Sequence, residues 1–158
     1  MQAASKDGVL NMEEAPRIII IAGPNGAGKT TFAPETASLQ AGRLMLQELT
    51  RHFAARTSFA FETTLSGRSY LRQVGEWQKA GYRVKLIFLQ LASAEEAIAR
   101  VAQRVKQGGH HIPEDVIRRR FVAGKNNFER LYAPLVDAWA LYDNAGSVPA
   151  LIDWSERV

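Results

Sequence analysis

The sequence predicts an α/β domain, a mostly parallel sheet of about four strands flanked by helices. Three observations predict it. Short β-branched runs alternate with stretches of helical periodicity, the pattern of βαβ units. Glycines and prolines fall between these stretches, at Gly23–Gly28, Gly81, Gly108-Gly109 and Pro134, where chain reversal is expected. Finally, 46% hydrophobic and 23% charged residues in 158 match a globular domain and exclude collagen-like, coiled-coil and wholly disordered chains.

The elements follow in order. Residues 1–16 are polar and aperiodic and read as a flexible N-terminal tail; residues 17–158 form the one domain. RIIIIAG (17–23) is short, β-branched and continuously apolar, as a strand buried on both faces must be. Leu39, Leu44, Leu46, Leu49 and Phe53 have roughly helical spacing over 35–56, and Pro34 cuts the preceding helix after about one turn. SFAFE (58–62) reads as a strand. Ser66 is placed to cap a helix over 67–80 that Gly81 ends. YRVKLIFLQL (82–91) is the strongest strand of the chain. Ser93 with Glu96 three residues later has capping-box spacing and opens a helix that stops at Gly108-Gly109. Pro113 suits a helix first position, with Glu114 and Asp115 in the favourable first turn. That helix runs to about Tyr132, where Pro134 breaks it, and a last strand covers 148–153. Trp77, Trp139 and Tyr142 stand at helical spacings with other apolar residues and read as core, not as base-stacking platforms.

Composition removes several chemistries. There is no cysteine, so disulfides, thiolate metal sites and cysteine nucleophiles are excluded. The longest early apolar run, Ile18–Ala22, is far below the roughly 18 residues of a membrane span. The first residues lack the basic start and apolar stretch of a leader, so no membrane and a cytoplasmic location are expected. The net charge of +4 is modest. Its distribution is less so: eight Lys/Arg stand against three acids between Arg100 and Arg130, a local positive field that suits a polyanion such as a nucleotide. No aromatic-interleaved basic stripe accompanies it, so nucleic acid is not the expected partner.

The most specific motif is Gly23-Pro24-Asn25-Gly26-Ala27-Gly28-Lys29-Thr30, a full G-x-x-x-x-G-K-[ST] directly after a buried strand. Glycines let successive backbone N–H groups turn onto phosphate oxygens, and the helix starting at Lys29 aims its positive end at the same anion. Lys29 reaches the β- and γ-phosphates, Thr30 offers its hydroxyl to Mg²⁺, and Thr31 is a further donor to the α-phosphate. The fold class is therefore a P-loop NTPase. The guanine-reading Asn-Lys-x-Asp is missing, which favours ATP. A transporter-type ATPase shares such a loop, but this chain is too short for one, and no apolar strand ending in Asp follows Leu65-Ser66-Gly67.

Beyond the loop, FAFETTLSG, GYRVKLIFLQL, RVAQRVKQGGHHIPEDVIRRRF and NNFERLYAPLVDAWALYDN resemble the zeta-toxin-like P-loop kinases, a family that includes the zeta toxin and small bacterial UDP-N-acetylglucosamine kinases. The likeness covers most of 17–154. It implies ATP- and Mg²⁺-dependent phosphorylation of a small hydroxyl acceptor such as a sugar nucleotide, and an antitoxin-type protein partner. On this chain it implies that residues 23–31 hold the triphosphate and magnesium. Glu62, with Thr63 or Thr64 beside it, positions the substrate at the end of its strand, and 104–120 forms an arginine-rich helical lid.

Helical geometry ranks the arginines. With Ile117, Phe121, Gly124, Phe128 and Leu131 as the apolar face, Arg120 lies about 60° to one side, Arg118 about 100° to the other and Arg119 nearly opposite. Taking Ile98, Val101, Ala102 and Val105 as the apolar face of the preceding helix sends Arg100 to the far side and Arg104 to the flank. Arg104 and Arg120 are therefore the expected phosphate clamps, working with Lys29 and Glu62. His110 falls in the family's Gly-Gly-His element, where a polar loop position is an equally good reading, and Gly108-Gly109 serve as helix cap or hinge.

The sequence departs from the family after the phosphate loop. Members carry a longer stretch there, with an extra strand and an Asn-x-Asp-type element whose aspartate is the base. Here FAPETASLQAGRLMLQELTRHF contains no aspartate and no β-branched run. A base contributes roughly 10²–10⁴-fold, so the alternative is an ATP-binding module with impaired catalysis. Structurally, a direct strand–helix–strand crossover can close the gap.

Overall fold

A computed structural model describes residues 15–32 and 42–158. Five strands form one sheet in the order β2-β1-β3-β4-β5. They are β1 Arg17–Ala22, β2 Phe59–Thr63, β3 Arg83–Gln90, β4 Ala138–Asp143 and β5 Ala150–Glu156. β2, β1, β3 and β4 run parallel, and β5 returns antiparallel to β4. The mostly parallel α/β sheet is the predicted one, with two differences. The first is β4, a strand the sequence reading did not contain. Trp139 and Tyr142, three residues apart, lie on it, so their spacing was not helical after all. The second is the shift of the last strand to 150–156. β1 and β2 pair directly, Ile18 with Phe59 through Ala22 with Thr63, so the crossover joins neighbouring strands.

The helices are α1 Lys29–Phe32, α2 Gly42–Ala54, α3 Ser69–Lys79, α4 Ala94–Lys106 and α5 Glu114–Asn127, and a π-helical turn over Phe128–Tyr132 continues α5. The tail residues 1–14, Pro34 and the expected helix start near Leu39 lie outside the described residues. α3 begins at Ser69 with Arg68 at the cap and no side-chain cap bond. Ser66, the expected cap, instead shares a 2.9 Å hydrogen bond with the Thr64 hydroxyl. At α4 the expected cap holds: the Ser93 hydroxyl accepts from the Glu96 N–H. The return bond from Glu96 goes one residue further out, to the Ala92 N–H. The other end closes as a Schellman motif, Gly109 N–H to the Arg104 carbonyl and Gly108 N–H to that of Val105. Pro113 caps α5 from just outside the helix, one residue before its expected place.

Alternation along the strands divides the core between the two sheet faces. Ile18, Ile20, Phe59, Phe61, Val84, Leu86 and Phe88 meet Leu49, Val74, Trp77, Phe128 and Tyr132 on one face. Ile21 and Leu89 meet Ala27, Ala97, Val101 and Ile117 on the other. α5 belongs to both. Ile117 packs with the second group, while Phe128 and Tyr132, just past its end, pack with the first, so the helix crosses the carboxyl ends of the strands. It passes close to the loop after β2. A side chain at Gly124 would put Cβ 2.4 Å from the Thr64 carbonyl, so only glycine fits. Three residues later the Asn127 amide donates to the Leu65 carbonyl at 2.9 Å, and the Tyr132 hydroxyl donates to that of Gly67. These contacts hold Leu65 in the left-handed region at φ 60, a conformation a leucine keeps only when its surroundings impose it.

Candidate active site

The carboxyl ends of parallel strands are where α/β sheets bind ligands. Here the segment after β1 turns back at once. The Gly23 N–H donates to the Thr63 carbonyl, that of Ala27 to Pro24, and that of Phe32 to Gly28 as α1 starts. Gly26 and Gly28 have φ of 82 and 86, which an L side chain adopts only under strain. Gly26 is also wedged against α4, where a Cβ would lie 2.9 Å from the Ala97 carbonyl.

Lys29 is buried inside this turn. Its ammonium donates to the carbonyls of Gly23 at 2.8 Å and Pro24 at 3.1 Å. Burial lowers its pKa to about 8; Glu62 opposes that shift, and Arg104 and Arg120 add to it. Beside Lys29, the Thr30 hydroxyl donates to the Glu62 carboxylate at 3.0 Å. Glu62, the next-to-last residue of β2, is thus brought onto the phosphate loop from 32 residues away.

A cavity of about 290 Å³ opens here, bounded by Asn25–Thr30 of the loop, Glu62, Val101 and Arg104 of α4, and Gly109, His110 and Ile112 of the α4–α5 connection. Arg120 approaches from α5, its guanidinium 3.4 Å from the Asn25 side-chain oxygen. Lys29, Glu62, Arg104 and His110 therefore line one cavity, and Arg120 stands beside it through Asn25. Arg118 does not join them; it pairs with Glu95 at 2.5 Å on the outside of the helices. Arg119 is exposed. Thr31 and Phe32 lie instead on an adjoining cavity of about 380 Å³, which also includes Gly26, Gly28, Arg104 and the turn 144–149.

Arg100 corrects the helical reading of α4. The buried positions of that helix are Ala97 and Val101, whereas Val105 is 37% exposed. The true inner face is rotated, and Arg100 points at the phosphate loop rather than away. It donates to the Gly26 carbonyl at 3.3 Å and to those of Asn144 and Ala145, each at 2.9 Å. Asn144 in turn donates to the Ala27 carbonyl at 2.6 Å. The sequence carried one faint signal for this pair, an asparagine directly after the apolar stretch that proves to be β4.

Among the described residues no group of three or more His, Asp and Glu could hold a metal alone. A hard cation that keeps its waters and phosphate ligands needs only one or two protein oxygens. The Thr30 hydroxyl and Glu62 carboxylate, 3.0 Å apart beside Lys29, are donors of the right kind, so these residues fit Mg²⁺.

Against known proteins, the family model described as "Zeta toxin" matches residues 33–149. The chain belongs to the zeta toxin family. An uncharacterized protein of Haemophilus influenzae is 29% identical over 131 residues, 66% of this chain and 92% of the relative. Among solved structures, the complex of AvrRxo1-ORF1 with AvrRxo1-ORF2 superposes with TM-scores of 0.69 with sulphate ions and 0.65 with ATP, at 13% and 16% identity. Each match covers 89% of this chain, which spans 59% and 58% of the chains it matches. The PezAT toxin–antitoxin system of Streptococcus pneumoniae gives 0.63 at 17% identity, covering 89% of this chain and 71% of that one. These solved structures share the fold, which agrees with the sheet described above. No helix among the described residues is long and apolar enough to cross a membrane.

Proposed function

We propose that this zeta toxin family chain is an ATP-dependent kinase that phosphorylates a hydroxyl group of a sugar nucleotide or similar metabolite. The observation that carries the reading is a cavity lined by the phosphate loop with buried Lys29, by Arg104 and by one carboxylate, Glu62, with Arg120 bonded to Asn25 beside it. Lys29 binds the β- and γ-phosphates as a point charge, and the loop N–H groups bind their remaining oxygens. Thr30 would hold Mg²⁺, which would supply charge neutralisation at the phosphates. Arg104 and Arg120 stabilise charge on the group being transferred. The acceptor oxygen forms a bond to the γ-phosphorus as the bond to the bridging oxygen breaks and ADP leaves. The hydroxyl proton goes to the Glu62 carboxylate. Phosphorylated product from Mg-ATP and a sugar-nucleotide panel, read by mass spectrometry, and its loss in Lys29→Ala, test the reading; a panel without product sinks it.

One observation favours a second reading, ATP binding with impaired turnover. The single carboxylate of the cavity already accepts from Thr30, and no aspartate stands between Thr31 and Phe59. Tight ATP binding without product would select it. In either case an antitoxin-type protein partner in the cytoplasm is part of the proposal, supported by the PezAT toxin–antitoxin relative; copurification with the product of a neighbouring gene tests it.

A further inference from the structure

We infer that Asn144 is a positioning residue for the phosphate loop: it fixes the Ala27–Gly28 peptide so that the Gly28 N–H faces the polyphosphate before any ligand arrives. The inference rests on the nucleotide-binding reading above and adds a residue outside the loop motif. Asn144 is itself anchored, since its backbone N–H donates to the Gln90 carbonyl at the end of β3 at 3.0 Å. From there its side-chain amide donates to the Ala27 carbonyl at 2.6 Å. In a trans peptide the C=O and the following N–H point in opposite directions. Holding the Ala27 carbonyl outward therefore turns the Gly28 N–H to the inner side of the loop, where Lys29 lies.

The same side chain explains the residue at position 28. A Cβ there would meet the Asn144 amide nitrogen at 2.8 Å, so the amide fills the space that a side chain would take. Arg100 backs the arrangement. By donating to the carbonyls of Asn144 and Ala145 as well as Gly26, it ties the turn 144–149 to the preceding peptide of the loop. Two successive loop carbonyls, those of residues 26 and 27, are thus held from outside by α4 and by the end of β4. A glycine-rich loop without such anchors has its peptide planes free to rotate, and ordering them would fall to the ligand.

The test uses the full chain with Mg²⁺ and two probes, ATP and inorganic tripolyphosphate, by calorimetry. Asn144→Ala is expected to weaken both by about tenfold, the scale of one lost buried hydrogen bond. The two losses should match, because the effect is on the phosphate side. Asn144→Asp keeps the shape, replaces the donor by an acceptor facing the Ala27 carbonyl, and should lose more. It also carries the test if the alanine variant folds poorly. In ¹⁵N spectra, the shift of the Gly28 amide on adding tripolyphosphate should shrink in both variants, which a general loss of stability would not produce. Affinities within twofold of the parent overturn the inference, as does a loss confined to ATP, which would mark a base contact. A parent protein that binds neither probe overturns the nucleotide reading and this inference with it.

Discussion

The two faces of the sheet are built from different materials. One is aromatic: Phe61 packs edge-on to Trp77 at 6.0 Å, and Phe88 stacks on Phe128 at 4.7 Å, with Phe59, Tyr82 and Tyr132 around them. The fully buried part of the other is aliphatic, Ala27, Ala97 and Val101 under Ile21 and Leu89, with Phe32, Phe121 and Tyr142 only partly buried against it. Large rings bury the most apolar area per residue and dominate core energetics. Small side chains let backbones approach, which is how the phosphate loop comes to lie directly on α4. The difference teaches that stability and chemistry are housed on opposite sides, and that substitutions should separate them.

The strongest way to break that division is at the guanidiniums. Arg104→Ala and Arg120→Ala should each lower phosphoryl transfer by about 10³-fold, the low end for such groups, without moving the melting temperature. Steady-state kinetics beside a melting curve checks both halves. On the opposite face, Phe61→Ala should cost about 3–5 kcal/mol of stability while the folded fraction binds ATP as before. Denaturant titration with and without nucleotide reads this; a large affinity loss would show that the faces are not separable.

A smaller effect is expected where the faces meet. Gly124→Ala forces a methyl group onto the Thr64 carbonyl and should destabilise by about 1–3 kcal/mol, as overpacking does. It should also lower activity through Glu62.

Protonation of Lys29 sharpens the comparison further. Its pKa in the fold, about 8, lies below the ordinary 10.5. The unfolded chain therefore holds the extra proton between those values, and this group makes stability rise with pH from about 8 to 10.5. Phosphate needs the charged form, so ATP affinity should run the other way, flat below pH 7 and about tenfold weaker at pH 9. Calorimetry across that range should find stability and affinity moving oppositely. The smallest effect belongs to Arg118→Ala, which removes an exposed pair with Glu95. Activity should stay within twofold, since such pairs contribute little.

What could be read from the chain follows the same division. The β-branched run of β1, the loop motif, the strand at 83–90 and the Ser93 and Gly108-Gly109 caps are local signals, and each element formed where it was expected. β4 was missed because AWALYD has no β-branched residue, so its alternation carried little hydrophobic contrast. Arg100 was misplaced because Ile98 and Val105, larger than Ala97, drew the apolar face away from it. Which of them faced inward depended on the loop lying across α4, a contact more than 70 residues away in sequence. Arg120 could be placed beside the buried face because α5 has one clear apolar side, whereas Arg104 lines the cavity on the rotated face of α4, three residues past Val101. The pinned loop after β2 left no trace, since a leucine is a poor signal for φ 60.

That pinned loop also has a geometric consequence. Arg120 and Gly124 are one helical turn apart, and Glu62 and Thr64 are two residues apart along the chain. Gly124 and Thr64 meet backbone to backbone, with no compressible side chain between them. The spacing of the backbones that carry Arg120 and Glu62 is therefore gauged by main chain alone, like the jaws of a caliper locked at the hinge. Neither can be retuned in isolation: whatever shifts one jaw, whether a substitution or a bound partner, resets the other.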